Sequence, residues 1–206
     1  MLSAGSSALE ARNPQHDSIM MLRGKCLSVL KCDTEKVLAN KEYNDIISTI
    51  GAGFGDSFNV NKMQYNKIVI TSDQDSDGAN IELLLITFFY TYMRPLVEAG
   101  KLYRAMTPLY IVDFGKGKRE YFYSETEFAK FRETNPSGYE LIRAKGLGAL
   151  DPATLKEVCF DIEKYKQITI SDVEETYKLL ETLMGKSVEP RKQFIYDNAT
   201  EIGMSF

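Results

Sequence analysis

Lys67-Ile68-Val69-Ile70-Thr71-Ser72-Asp73-Gln74-Asp75-Ser76-Asp77-Gly78 is the stretch on which the reading of this chain turns. Its first six residues are an apolar, β-branched run bounded by a turn signal, which predicts a buried strand. Asp73, Asp75 and Asp77 follow at every second position, and period-two geometry would set their carboxylates on one side. Converging negative charges repel one another unless a cation lies between them. Hard carboxylate oxygens suit Mg²⁺, which is bound at roughly 2.0–2.1 Å and keeps several waters that a substrate can replace. The stretch therefore predicts a divalent-metal site at a strand end, with Asp73, Asp75 and Asp77 as ligands.

Two plainer readings compete with that one. D-x-D-x-D-G also opens an EF-hand loop, but the twelfth position counted from Asp73 is Leu84, where a bidentate Glu is required. The loop also follows a strand pattern instead of a helix. An acidic turn that merely caps the next helix would need a single Asp.

Downstream, residues 79–99 read as a helix stopped by Gly100, so strand, aspartates and helix make an α/β unit. Residues 102–113 read as a returning strand, and Gly115-Lys116-Gly117-Lys118 as a hairpin turn into residues 119–123. Ser124 with Glu127 forms a capping box. Residues 139–142 predict a strand leading into Lys145-Gly146-Leu147-Gly148, and Asp151-Pro152 supplies an N-cap followed by proline at the first helical position. Ser171 with Glu174 opens a helix ending at Gly185, and a short helix starts at Glu189. Upstream, residues 21–29 read as a short strand interrupted by a basic glycine turn, and residues 40–50 as a helix with Ile46, Ile47 and Ile50 on one stripe. Gly51-Ala52-Gly53-Phe54-Gly55 follows that helix and not a strand, which argues against a phosphate-cradling loop.

The bulk composition narrows the class. With 206 residues, 44% hydrophobic and 26% charged, the chain can hold one core domain and a smaller attachment, expected over 1–150 and 151–206. A net charge of −4 means that any grip on nucleic acid comes from local basic patches or from a partner. Cys26, Cys32 and Cys159 are odd in number and form no C-x-x-C, so neither a disulfide framework nor a zinc knuckle is expected, and a cytoplasmic location fits. His16 is the single histidine, which leaves no histidine-based catalysis. The longest apolar run, residues 83–92, is too short to span a bilayer, and no signal-peptide pattern opens the chain.

Several ordered motifs resemble one family, the TOPRIM region of type IIA DNA topoisomerases in the C-terminal half of the large B-type chain of gyrase or topoisomerase IV. Leu22-Arg23-Gly24-Lys25 resembles P-L-R-G-K, with Met21 where Pro is usual, and the residues from Ile70 to Gly78 resemble M-T-D-A-D-V-D-G. Residues 83–90 resemble the helix L-L-L-T-F-F-Y, Lys145-Gly146-Leu147-Gly148 resembles K-G-L-G-E-M, and Leu183-Met184-Gly185 with Val188-Glu189-Pro190-Arg191 resembles L-M-G-x-x-V-E-P-R. The resemblance implies an α/β TOPRIM fold, a Rossmann-like and mostly parallel sheet flanked by helices, with a small C-terminal helical appendage.

It also implies a chemistry. Asp73 and Asp75 would hold Mg²⁺, Asp77 would support a second ion, and Mn²⁺ could substitute. Asp73, Asp75 and Lys25 would be the catalytic residues, and Arg23, Lys25 and Lys145 would neutralise phosphates of double-stranded DNA. The nucleophilic tyrosine would sit next to an Arg on an A-type cleavage chain; none of the 12 tyrosines here follows an Arg. ATP would be bound by a partner chain or an absent domain.

The departures are informative. The family's E-G-D-S-A carries the general acid-base Glu; Ser3-Ala4-Gly5-Ser6-Ser7-Ala8 resembles the stretch after Gly-Asp, which puts that Glu immediately before Met1. An ATPase chain or an N-terminal half would then supply it, and the chain would be a truncated piece or part of a naturally split large chain, as in some tailed phages. Asn80 stands where His is usual, Glu82 where a basic residue is common, and Ala149 replaces the Glu after K-G-L-G. Two rivals remain at this level: a TOPRIM nuclease acting without a tyrosine partner, and a non-catalytic module bridging ATPase and cleavage chains.

Overall fold

The apolar run before the aspartates forms a strand of only three residues, β1 over Ile68–Ile70. The structure, a computed structural model, describes residues 2–144, 146–161, 165–169 and 172–199. It divides into two units that are discontinuous in sequence: one of residues 1–24, 67–82 and 102–167, the other of residues 25–66, 83–101 and 168–206.

In the first unit β1 pairs in parallel with β2 (Leu102–Ala105), placing Ile68 opposite Leu102 and Ile70 opposite Arg104. The far edge of β2 pairs antiparallel with β6 (Tyr165–Gln167). A second sheet has the order β4-β3-β5, built from β3 (Tyr110–Asp113), β4 (Arg119–Phe122) and β5 (Glu140–Arg143), antiparallel on both sides. Parallel pairing is thus confined, among the described residues, to β1 and β2, where the resemblance implied a mostly parallel sheet. The connection explains it. A parallel pair needs a long crossover, here the helices α4 (Ser76–Tyr92) and α5 (Arg94–Glu98), whereas the hairpin between β3 and β4 enforces the antiparallel arrangement.

Three expected elements differ in extent. Residues 102–113 are two strands in two sheets, because Pro108 cannot donate to a ladder and the chain leaves the first sheet at Ala105. Residues 79–99 are two helices, because Pro95 lacks the N–H and crowds the preceding turn; the break falls at Met93, which is buried. Residues 21–29 form no strand: no described strand pairs with their backbone, Cys26 is buried from irregular chain, and Val29, also buried, opens a short 3-10 turn over Val29–Lys31.

Helix α1 (Leu2–Ala11), which the small residues at the start of the chain hid from the sequence reading, packs against α7 (Pro152–Cys159) and the turn Leu147–Ala149. Ala11 joins Ala105, Ile111, Leu150, Leu155 and Val158 in one apolar cluster. Tyr110 and Val112 point to a second cluster with Phe128 of α6 (Glu125–Thr134), so the period of two along β3 feeds both faces of its sheet. The Tyr110 and Phe128 rings stack at 4.3 Å. The Ser124 hydroxyl accepts the Glu127 N–H at 3.1 Å, as the capping box requires.

The second unit is helical: α2 (Thr34–Ala39), α3 (Lys41–Ile50), the later turns of α4, α5, α8 (Val173–Met184) and α9 (Glu189–Asp197). Asn40 caps α3 by accepting the Tyr43 N–H at 3.1 Å, and Tyr43, Ile46 and Ile50 form its buried stripe, with Ile47 at the margin. Tyr43 stacks on Phe88 at 4.3 Å. Asp172 caps α8 by accepting the Glu175 N–H at 2.7 Å; the Ser171 expected in that role lies outside the described residues. Arg191 donates to the carbonyls of Leu183 (2.7 Å) and Gly185 (3.0 Å), which ties the L-M-G and V-E-P-R motifs together at the end of α8. Among the described residues no helix is long and apolar enough to cross a membrane.

Candidate functional site

The strand ends before the aspartates begin. Asp73 and Asp75 lie in the loop between β1 and α4, and Asp77 is the second residue of the helix, so strand periodicity does not set their directions. Loop and helix geometry sets them instead. Asp73 is half-buried, while Asp75 and Asp77 are exposed.

Asp75 is the N-cap of α4: its Oδ1 accepts the Gly78 N–H at 2.7 Å, and its carbonyl accepts the Ala79 N–H at 3.0 Å. A carboxylate there satisfies an otherwise unpaired N–H and faces the positive end of the helix dipole. Gly78 follows from packing. A Cβ at this position would stand 2.1 Å from the Asp73 carbonyl oxygen, so the first turn of α4 closes onto the loop only with glycine.

Asp73 is held from across the sequence. Its Oδ1 accepts the Leu147 N–H at 2.8 Å, joining the D-x-D-x-D-G loop to the K-G-L-G segment. Gly146 gives the room: a Cβ there would lie 3.3 Å from the Asp73 carboxylate. The loop is also pinned to the chain after β2, since Gln74 Nε2 donates to the Thr107 carbonyl at 2.8 Å and Thr107 Oγ1 to the Ser72 carbonyl at 3.3 Å. Asp73, Gln74, Thr107, Pro108, Gly146 and Leu147 line a shallow depression. This is the crevice beyond the carboxyl ends of parallel strands where α/β folds place their ligands.

Glu82, one helical turn further along α4, was singled out by sequence only as an unusual residue. It is 8% exposed, and its Oε1 lies 3.2 Å from Arg104 Nε on β2. The contact is one of charge, since Arg104 Nε has no hydrogen-bond partner. Burial pushes the Glu82 carboxyl above its ordinary value, and Arg104 and the Ser72 side chain only partly offset that.

Arg23 and Lys25 are both exposed on either side of Gly24, Arg23 in the first unit and Lys25 in the second; Lys145 lies outside the described residues.

The donor set can be tested against a cation. Among the described residues no three His, Cys, Asp or Glu side chains are grouped as a cage. Zn²⁺ and Ca²⁺ favour such protein-rich cages, whereas Mg²⁺ is held by one or two carboxylates, with water and substrate phosphate completing the octahedron. Asp73 and Asp75 each direct Oδ1 to a backbone N–H, which leaves Oδ2 of each as an anionic oxygen for a metal. The residues fit a Mg²⁺ site of that sparse kind.

Comparison with known proteins covers almost the whole chain. The family model for the Toprim domain matches residues 3–107, and that for the DNA gyrase B subunit, carboxyl terminus, matches residues 136–196. The chain is similar to the DNA gyrase B protein of Mycoplasmoides gallisepticum, 42% identical over 203 residues, covering 97% of this chain and 31% of that protein. The corresponding figures for the DNA gyrase B protein of Thermotoga maritima are 40% identity, 97% and 32%. For the DNA topoisomerase 4 B protein of Enterococcus faecalis they are 42% identity, 94% and 29%. The chain therefore spans less than a third of the length of each of these relatives.

Proposed function

The chain belongs to the Toprim domain family, and from that premise we propose that it is the metal-binding part of the B-type chain of a type IIA DNA topoisomerase, serving the cleavage and religation of duplex DNA. The observation that carries this reading is the Asp73 to Leu147 hydrogen bond, which brings the two motifs most characteristic of the resemblance into one crevice. Gyrase B and topoisomerase 4 B relatives along nearly the full chain support it.

In this reading Asp73 and Asp75 would hold Mg²⁺, and Asp77, at the start of α4, would support a second position. When bound, the ion would supply electrostatic stabilisation of charge on the reacting oxygens, and Mn²⁺ could take its place. Asp75 stays oriented because it is also the helix cap, and Asp73 because Leu147 fixes its rotamer. Arg23, Lys25 and Lys145 neutralise backbone phosphates, which positions DNA without selecting its sequence. The nucleophilic tyrosine comes from an A-type chain, ATP is bound elsewhere in the assembly, and the complex works in the cytoplasm.

The test reconstitutes the B-type and A-type chains with supercoiled plasmid and Mg²⁺. Asp73→Asn and Asp75→Asn are the variants to use, since Asn caps a helix about as well as Asp and isolates the loss of charge. Both are expected to abolish relaxation while the chains still assemble; relaxation at the wild-type rate by either contradicts the assignment. Nicking by this chain alone, without protein covalently attached to DNA, would favour a Toprim nuclease instead.

A further inference from the structure

The segment that touches Asp73 is itself unusually well anchored. Its N-terminal end is fixed by Ala144, buried, whose N–H donates to the Leu109 carbonyl at 3.1 Å. Its C-terminal end is fixed by Leu150, also buried, whose N–H closes onto the Leu147 carbonyl at 3.2 Å. Immediately beyond, Asp151 caps α7: its Oδ1 accepts the Thr154 N–H at 3.0 Å and its Oδ2 the Thr154 hydroxyl at 2.6 Å. Arg119 of β4 completes the set, with Nη1 donating to Thr154 Oγ1 and Nε to Asp113 Oδ2, both at 2.8 Å. Thr154 is 2% exposed, so its hydroxyl is shielded from water at the centre of a network whose other members, Asp151, Arg119 and Asp113, reach the surface.

We propose that the Gly146–Leu147 turn is a positioning clamp for the metal-binding carboxylate of Asp73, and that Arg119, through Thr154 and Asp151, sets the clamp from the second sheet. The inference rests on the metal reading above and deepens it. Two features give the turn this role. Leu147 N–H takes one Asp73 oxygen and so fixes the carboxylate's orientation, and Gly146 presents a bare Cα to the carboxylate at a distance where any Cβ would press on it. Gly146 has φ 175, extended backbone that any residue adopts, so the steric contact with Asp73 is what restricts this position. Partners that orient a metal-binding group typically govern affinity by about 10-fold or more.

The experiment uses the full chain, ¹⁵N-labelled, titrated with Mn²⁺ and followed by paramagnetic broadening, with thermal melting as the check on folding. In the wild type the Leu147 amide is expected among the first signals lost, and Asp73→Asn is expected to shift that amide and remove the broadening. Gly146→Ala is expected to raise the Mn²⁺ concentration for half-broadening by about 10-fold with melting little changed. Arg119→Ala is expected to move it in the same direction by less, and Arg119→Lys to recover part of the loss. If Gly146→Ala and Arg119→Ala both fold and bind Mn²⁺ as the wild type does, the clamp is overturned while the metal site stands. Should the wild type and Asp73→Asn broaden alike, the metal reading fails and takes the clamp with it. Should Gly146→Ala not fold, Arg119→Ala and the Leu147 amide decide the matter.

Discussion

Glu82 shows how a single residue can carry a measurable signature. Burial disfavours its charged form, so its folded-state carboxyl binds a proton more tightly than the unfolded one. A raised carboxyl contributes stability at acid pH, and that contribution is lost as pH rises through the folded value. Glu82→Gln removes the titration and keeps a polar group near Ser72. The difference in unfolding free energy between wild type and Glu82→Gln, from urea melts, is therefore expected to move in favour of Gln as pH rises above the ordinary carboxyl range. A difference that stays flat, or moves towards Glu, would show that Arg104 outweighs burial. At this scale the sequence disclosed identities well and partners poorly. Asp73 and Asp75 stood out from their spacing, but the Leu147 N–H that orients Asp73 is a backbone group far along the chain, and no spacing rule reaches it. Arg119 was invisible for the same reason: its partners lie on β3 and α7.

Elements follow a similar division between local and tertiary causes. The starts of α3, α6 and α7 were readable because caps are local: Asn40, Ser124 and Asp151 each accept an N–H three residues on. Strand extents were not, because a strand ends where its neighbour ends. β1 stops at Ile70, although the β-branched pattern runs on through Thr71, and β2 stops at Ala105, although the apolar Met106 follows. Helix α1 escaped because its small residues carry little periodic contrast, and β6 because it is half-exposed. The V-E-P-R motif acquires a structural meaning at this scale. Arg191 spans two carbonyls at the end of α8, a fork that the single ammonium of Lys cannot reproduce. Arg191→Lys is expected to cost about 1 kcal/mol and to speed hydrogen exchange in the last turn of α8. Exchange unchanged from wild type there would mean that the two bonds contribute nothing to that end.

For the molecule as a whole, the family was readable from ordered motifs and the Toprim match agrees with it, while the division into units was not. Each unit is assembled from separated stretches, and the boundary falls inside α4 between Glu82 and Leu83, where no linker composition marks it. The expected split at 150 and 151 followed the run of motifs; in the structure α7 and β6 belong with the first unit. The charge balance bears on function at the same scale. A chain of net charge −4 is poorly suited to gripping DNA alone, so the proposed function is best tested in an assembly that includes DNA and partner chains. The most direct measurement is anomalous diffraction from crystals of that assembly, grown with cleavable DNA and Mn²⁺. The account predicts an anomalous peak within about 2.5 Å of Oδ2 of both Asp73 and Asp75, with a DNA phosphate oxygen on the same ion. No peak at those oxygens, with DNA and every partner chain in place, would contradict it.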